Sequence, residues 1–122
     1  MLLENKQIFI VDDDESVCRA LNVLLVAYGF TVDTFNSAEE FFRAVPDSLP
    51  GCLILDIHMP GLDGWETLEH LLISRSSRPV IIISADKNGG LNEKALMAGA
   101  KGFLQKPFND QELVDLINKC KN

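Results

Sequence analysis

Cysteine, histidine and basic charge are all scarce in this chain of 122 residues. The three cysteines, Cys18, Cys52 and Cys120, form no CxxC and no close pair, and their number is odd. A disulfide framework or a zinc site built on thiolates is therefore not expected, and a reducing compartment is the better reading. Only 11 Lys and Arg stand against 18 Asp and Glu, a net charge of −7. Phosphate backbones demand a basic surface, so direct nucleic-acid binding by this chain is not expected. No apolar run approaches the roughly 20 residues that span a bilayer. The opening "MLLENKQ" has no apolar core of the signal-peptide kind. The expectation is a cytoplasmic protein with no membrane partner.

Carboxylates, in contrast, are crowded. In "IFIVDDDESV", residues 8–17, four apolar residues run straight into Asp12, Asp13, Asp14 and Glu15. Two carboxylates about 4 Å apart repel by on the order of 4 kcal/mol at an effective dielectric near 20. Such a cluster needs water, helix amides or a cation to offset it.

The pattern along the chain alternates between strand and helix. Short apolar runs occur at 7–11, 52–56, 80–84 and 102–105, and "TVDTF", 31–35, alternates like a strand near an edge. Between them lie segments of helical spacing or helix-capping chemistry. The first is 15–28, where Val17, Leu21, Leu24, Leu25 and Tyr28 share a face and Gly29 stops the helix. The second starts at Ser37, with Glu40 at capping-box spacing, and the third covers about 64–74 behind the similar pair Asp63 and Glu66. The fourth covers about 91–98 and ends at Gly99. The fifth is capped by Asn109 or Asp110 and runs to about 121. Continuous apolar strands alternating with helices imply a parallel sheet covered on both faces. One domain spanning 1–122 is expected.

In such sheets the working crevice lies at the carboxyl ends of the strands. Asp12 and Asp13 follow the first strand, Asp56 ends the third, Ser84 ends the fourth and Lys106 follows the fifth. If these strands are neighbours, the five side chains converge. Three carboxylates without thiolate or imidazole suit a hard cation, Mg²⁺, for which Mn²⁺ could substitute. A carboxylate can also act as a nucleophile, and Lys and Ser can neutralise the oxygens of a transferring phosphoryl group.

The stretches "IVDDDESV", "LILDIHMPGLDG", "VIIISA" and "GAKGFLQKPF" fall in order, with 43 residues separating Asp13 from Asp56. On these motifs the chain resembles, over essentially its whole length, the receiver domain of bacterial response regulators, the CheY-like family of two-component signalling. The resemblance implies a flavodoxin-like (βα)5 sandwich with strand order 2-1-3-4-5. It implies Asp56 as phosphoacceptor and Asp13 as a direct Mg²⁺ ligand. Asp12 would act through metal-bound water, and the main-chain carbonyl of His58 would be a further ligand. Lys106 would face the phosphoryl oxygens, aimed by a cis bond before Pro107. Ser84 and Phe103 would be the switch residues, Phe103 lacking the hydroxyl of the family's usual Tyr.

The implied partners are a sensor histidine kinase or phosphotransfer protein and a downstream effector or fused output domain, so that the chain could be the N-terminal part of a longer regulator. A phosphorylation-dependent homodimer through the fourth helix, fifth strand and fifth helix is a further family expectation. The chain is expected to be a switch that modifies and resets itself, not an enzyme with an external substrate. Two alternatives stand beside it. An aspartate-nucleophile phosphatase would use similar groups, but it calls for a DxD motif and a cap segment. A docking module independent of phosphorylation would have no need of the Asp12, Asp13, Asp56, Ser84 and Lys106 set.

Other residues have plainer readings. Asp14 is a helix cap or solvated. Trp65 packs on its helix, His70 is solvated, and the cysteines fill space. Asp86 and Lys87 either shape access to the crevice or belong to a solvated loop.

Overall fold

The computed structural model describes residues 6–57, 63–73, 78–86 and 90–120. Ten elements alternate: β1 (Gln7–Val11), α1 (Glu15–Ala27), β2 (Thr31–Phe35), α2 (Ala38–Ala44), β3 (Cys52–Asp56), α3 (Gly64–Ile73), β4 (Val80–Ser84), α4 (Leu91–Met97), β5 (Gly102–Gln105) and α5 (Asp110–Cys120). Every strand and helix expected from the sequence is present, with ends shifted by a residue or so. Tyr28, expected inside the first helix, is instead its C-cap.

The strands form one parallel sheet in the order β2-β1-β3-β4-β5, the order of flavodoxin and CheY. Side chains alternate across a strand, so each central strand feeds two cores. Phe9, Val11, Leu53, Leu55, Val80 and Ile82 face one way and pack with Phe41 of α2, Leu68 and Leu71 of α3 and Ala95 of α4. Ile8, Ile10, Cys52, Ile54, Ile81 and Ile83 face the other way and meet Leu21 and Leu25 of α1 and Leu113 and Ile117 of α5. This makes three layers. β3 and β4 are buried along their whole length, which explains their unbroken apolar runs, whereas β2 lies at the edge, with Thr31, Asp33 and Thr34 exposed and Val32 and Phe35 half-buried.

Local chemistry fixes the helix ends. Ser37 accepts from the Glu40 amide at 3.1 Å, but the Glu40 carboxylate reaches one residue further back than in a closed capping box, to the Asn36 amide at 3.0 Å. Asp63 and Glu66 close the reciprocal box before α3, each amide donating to the other's carboxylate, at 2.9 and 3.4 Å. Asn109 and Glu112 do the same before α5, which assigns that cap to Asn109. At the end of α1, Gly29 takes φ 96°, a conformation open to glycine, and lets the Phe30 amide return to Leu25 O at 3.1 Å. No helix among the described residues is long and apolar enough to cross a membrane.

Candidate functional site

The register brings the crevice together. Asp56 lies opposite Ile83, Ser84 opposite Gln105, and β1 lies beside β3. All the strands end on the same side, so Asp12, Asp13, Asp56, Ser84 and Lys106 share one rim. One oxygen from each of Asp12, Asp13 and Asp56 falls within 4.8 Å of the others.

Asp12 is the most constrained of these. It has no exposed surface. Its amide donates to Phe35 O at 3.1 Å, one carboxylate oxygen accepts from the Asp14 amide at 3.0 Å, and the other accepts from Lys106 Nζ at 3.1 Å. Its carbonyl accepts from the Cys18 thiol, with Sγ at 3.3 Å. Asp13 is exposed at the mouth, and Asp56 is 7% exposed with Lys106 Nζ 4.0 Å from its nearer oxygen. The ammonium therefore lies against two of the three carboxylates. Its backbone is held as well, the Lys106 amide donating to Ser84 O at 2.7 Å and the Lys106–Pro107 bond being cis. Part of the answer to the acidic run is thus a lysine that comes from 94 residues away.

The donor set fits a hard divalent cation: three carboxylates converge, one of them held at every polar atom, with oxygen the only ligand element. The third member of the acidic run takes another role. Asp14 caps α1, accepting from the Ser16 hydroxyl at 2.6 Å and from the Ser16 amide at 2.9 Å. These bonds, the hydroxyl first, hold its carboxyl below the ordinary carboxylate range. This agrees with the capping role expected for Asp14 and leaves Asp12, Asp13 and Asp56 as the crevice carboxylates.

Ser84 is fully buried, and its hydroxyl accepts from the Asp86 amide at 3.0 Å. Phe103 is partly buried and packs, with Trp65 and Ala98, against the core under α2, α3 and α4. His58 and Lys87 lie outside the described residues. His70 is exposed, with its ring 5.8 Å from that of Phe42.

Three contributors were not legible as functional in the sequence. Cys18 is more than filler, because its thiol donates to the Asp12 carbonyl. Burial, then the Asp12 carboxylate, pushes this thiol up to about 11. Gly64 donates its amide to Ile57 O at 2.9 Å, tying the start of α3 to the residue after Asp56. Thr67 is buried and donates its hydroxyl to Asp63 O at 2.7 Å, which stiffens the same turn. The capping box at Asp63 marked the turn but not its closeness to Asp56.

Comparison with known proteins gives the chain a family. The family model described as the response regulator receiver domain matches residues 8–118. The transcriptional regulatory protein FixJ of Bradyrhizobium diazoefficiens is 38% identical over 113 residues, which are 93% of this chain and 55% of that protein. The response regulator protein TodT of Pseudomonas putida is 39% identical over 110 residues, 90% of this chain and 48% of TodT. The chain spans about half the length of the curated relatives it matches. The crystal structure of FixJ-N superimposes with a TM-score of 0.89 at 33% identity, covering 98% of this chain and 95% of that one. A response regulator receiver protein from Burkholderia phymatum gives 0.82 at 40% identity, with 94% of each chain covered. The chain belongs to the response regulator receiver domain family, the CheY-like input modules of two-component systems.

Proposed function

We propose that this receiver is switched by transfer of a phosphoryl group from a histidine kinase or phosphotransfer protein to Asp56. The observation that carries the reading is the convergence of Asp12, Asp13 and Asp56 within 4.8 Å around an ammonium that lies 3.1 Å from Asp12 and 4.0 Å from Asp56. A carboxylate oxygen of Asp56 attacks phosphorus, the new P–O bond forms as the donor's P–N bond breaks, and the imidazole leaves. Lys106 neutralises charge on the phosphoryl oxygens, and the Ser84 hydroxyl, an acceptor from the Asp86 amide, donates its own proton to one of them. Asp12, Asp13 and Asp56 would hold Mg²⁺, with the His58 carbonyl as a further candidate ligand. Mg²⁺ when bound would screen the transferring charge.

Phosphorylation adds about 1.5 to 2 negative charges to Asp56. Movement of Ser84 frees space for Phe103 to turn inward, and the α4-β5-α5 surface changes its affinity for a partner. This is a shift between two populations, not turnover of an external substrate. Water attack on the acyl phosphate regenerates the Asp56 carboxylate and resets the switch. The relatives named above are transcriptional and response regulator proteins about twice as long as this chain, which supports an output domain or separate effector as the reader of the switched surface, with homodimerisation through α4-β5-α5 as one form of readout. A cytoplasmic location follows from the same reading.

The test is incubation with Mg²⁺ and acetyl phosphate followed by intact-mass measurement. One base-labile phosphoryl group on the wild type, absent from Asp56→Asn and absent with a chelator, is the expected result. Catalytic hydrolysis of a generic phosphate ester, without a stable stoichiometric adduct, would favour a phosphatase instead.

A further inference from the structure

Trp65 occupies the second position of α3, directly after Gly64, whose amide is bound to the residue that follows Asp56. Its indole is half-buried on the same core as Phe103. Over the ring, 4.3 Å from its centroid, sits the ammonium of Lys94 from α4. A cation at this distance is attracted by the ring quadrupole, so the contact joins two successive helices on one face of the sheet.

Helix α4 is otherwise lightly held. It has seven residues, of which only Ala95 is buried. It starts at Gly90, which has no side chain to cap the first turn, and Leu96 and Met97 project into solvent. One end of the Lys94–Trp65 contact is therefore coupled through Gly64 to the phosphoacceptor strand, and the other end is fixed to the helix whose surface is read.

We infer that Lys94 over Trp65 is a latch that favours the resting position of α4, and that the switch opens against it. The inference rests on the proposed phosphoryl switch at Asp56 and names a restraint on it. In the conformation that carries the latch, Lys106 donates to Asp12 at 3.1 Å and stands 4.0 Å from Asp56, and a phosphoryl group on Asp56 would compete with Asp12 for this ammonium. A contact made in one state and weakened in the other biases the equilibrium by its own strength. For a solvent-exposed cation over indole this corresponds to a factor of about two to five.

Beryllofluoride, which adds to an aspartate carboxylate as a stand-in for the phosphoryl group, reads the equilibrium directly. Its apparent affinity is measured by fluorine NMR in excess Mg²⁺ for the wild-type chain, Lys94→Met, Lys94→Arg, Trp65→Leu and the Lys94→Met/Trp65→Leu double variant. The latch predicts about two- to fivefold tighter binding for either neutral variant, no further gain in the double variant, and a wild-type value for Lys94→Arg. Unchanged or weaker binding by Lys94→Met, with the wild type binding normally, would overturn the latch and leave the switch standing. Failure of the wild type to take up beryllofluoride at all would overturn the switch reading and the latch with it. Lys94→Met lies on an exposed face, so loss of folding does not confuse the outcome.

Discussion

Lys106 and Asp12 form a pair in which one member has no exposed surface and the other keeps partial access to water. Removing the ammonium leaves a buried carboxylate without its cation, a change that typically costs 3–5 kcal/mol for a fully buried pair. Lys106→Met is expected to lose about 3 kcal/mol in a chelator, the low end of that range because the ammonium is partly hydrated. Added Mg²⁺ should return part of the loss, since a cation that binds only the folded chain stabilises it. Urea midpoints with and without Mg²⁺ check both statements. Cys18 gives the pH counterpart. Burial raises its thiol from 9.0 to about 11, so the folded chain holds this proton more tightly than the unfolded one. The stabilisation is therefore complete below the ordinary thiol value and is lost as pH rises through about 11. Between pH 8 and 11 the wild type should lose stability more steeply than Cys18→Val, as followed by urea midpoints at each pH.

Helix ends were the most legible elements, because a cap is a local hydrogen bond between residues three apart. Ser37 with Glu40 and Asp63 with Glu66 could be read from spacing, and each cap side chain accepts from the expected amide. Asn109 and Asp110 are both good caps by residue type; Glu112, three residues after Asn109, is the signal that separates them, and the two close a reciprocal box. Gly64 was legible as a turn residue but not for its role in packing. A Cβ there would sit 2.5 Å from Ile57 Cα and 2.9 Å from Asp56 O, and backbone atoms cannot rotate away. Gly64→Ala must push α3 off the end of β3. The expected cost is about 2 kcal/mol, as for other overpacked sites. Labelling by acetyl phosphate should slow as well, because the displaced backbone carries Asp56. Equal stability and labelling in Gly64→Ala would show that the turn has room that the geometry denies.

The whole molecule separates chemistry from anchoring along the strand direction. The carboxyl ends of β1, β3 and β4 hold the carboxylates and Ser84, and this polarity was readable because apolar runs ended in Asp, Asp and Ser at each of these strands. Strand order was not readable from periodicity and came only with the resemblance, since pairing between distant strands leaves no local mark. Arg78 was missed for a similar reason. It stands in the polar stretch "SRSSRPV", where an arginine reads as surface, yet it is 8% exposed. Its guanidinium lies 5.0 Å from the Phe9 ring centroid and 5.4 Å from that of Phe41, and Nη2 donates to Pro46 O at 3.2 Å. It therefore ties the start of β4 to α2 and to the segment that leads into β3, at the end of the sheet away from Asp56. Arg78→Ala removes the stem packing, the ring contacts and the donor to Pro46, and should cost about 2 kcal/mol. The crevice does not use this residue, so the folded variant should accept phosphoryl from acetyl phosphate at close to the wild-type rate. Denaturation midpoints and labelling rates on the same preparations test the division: a loss of labelling in step with stability would mean that the two ends of the sheet are mechanically coupled, whereas a loss of stability alone would assign Arg78 to anchoring.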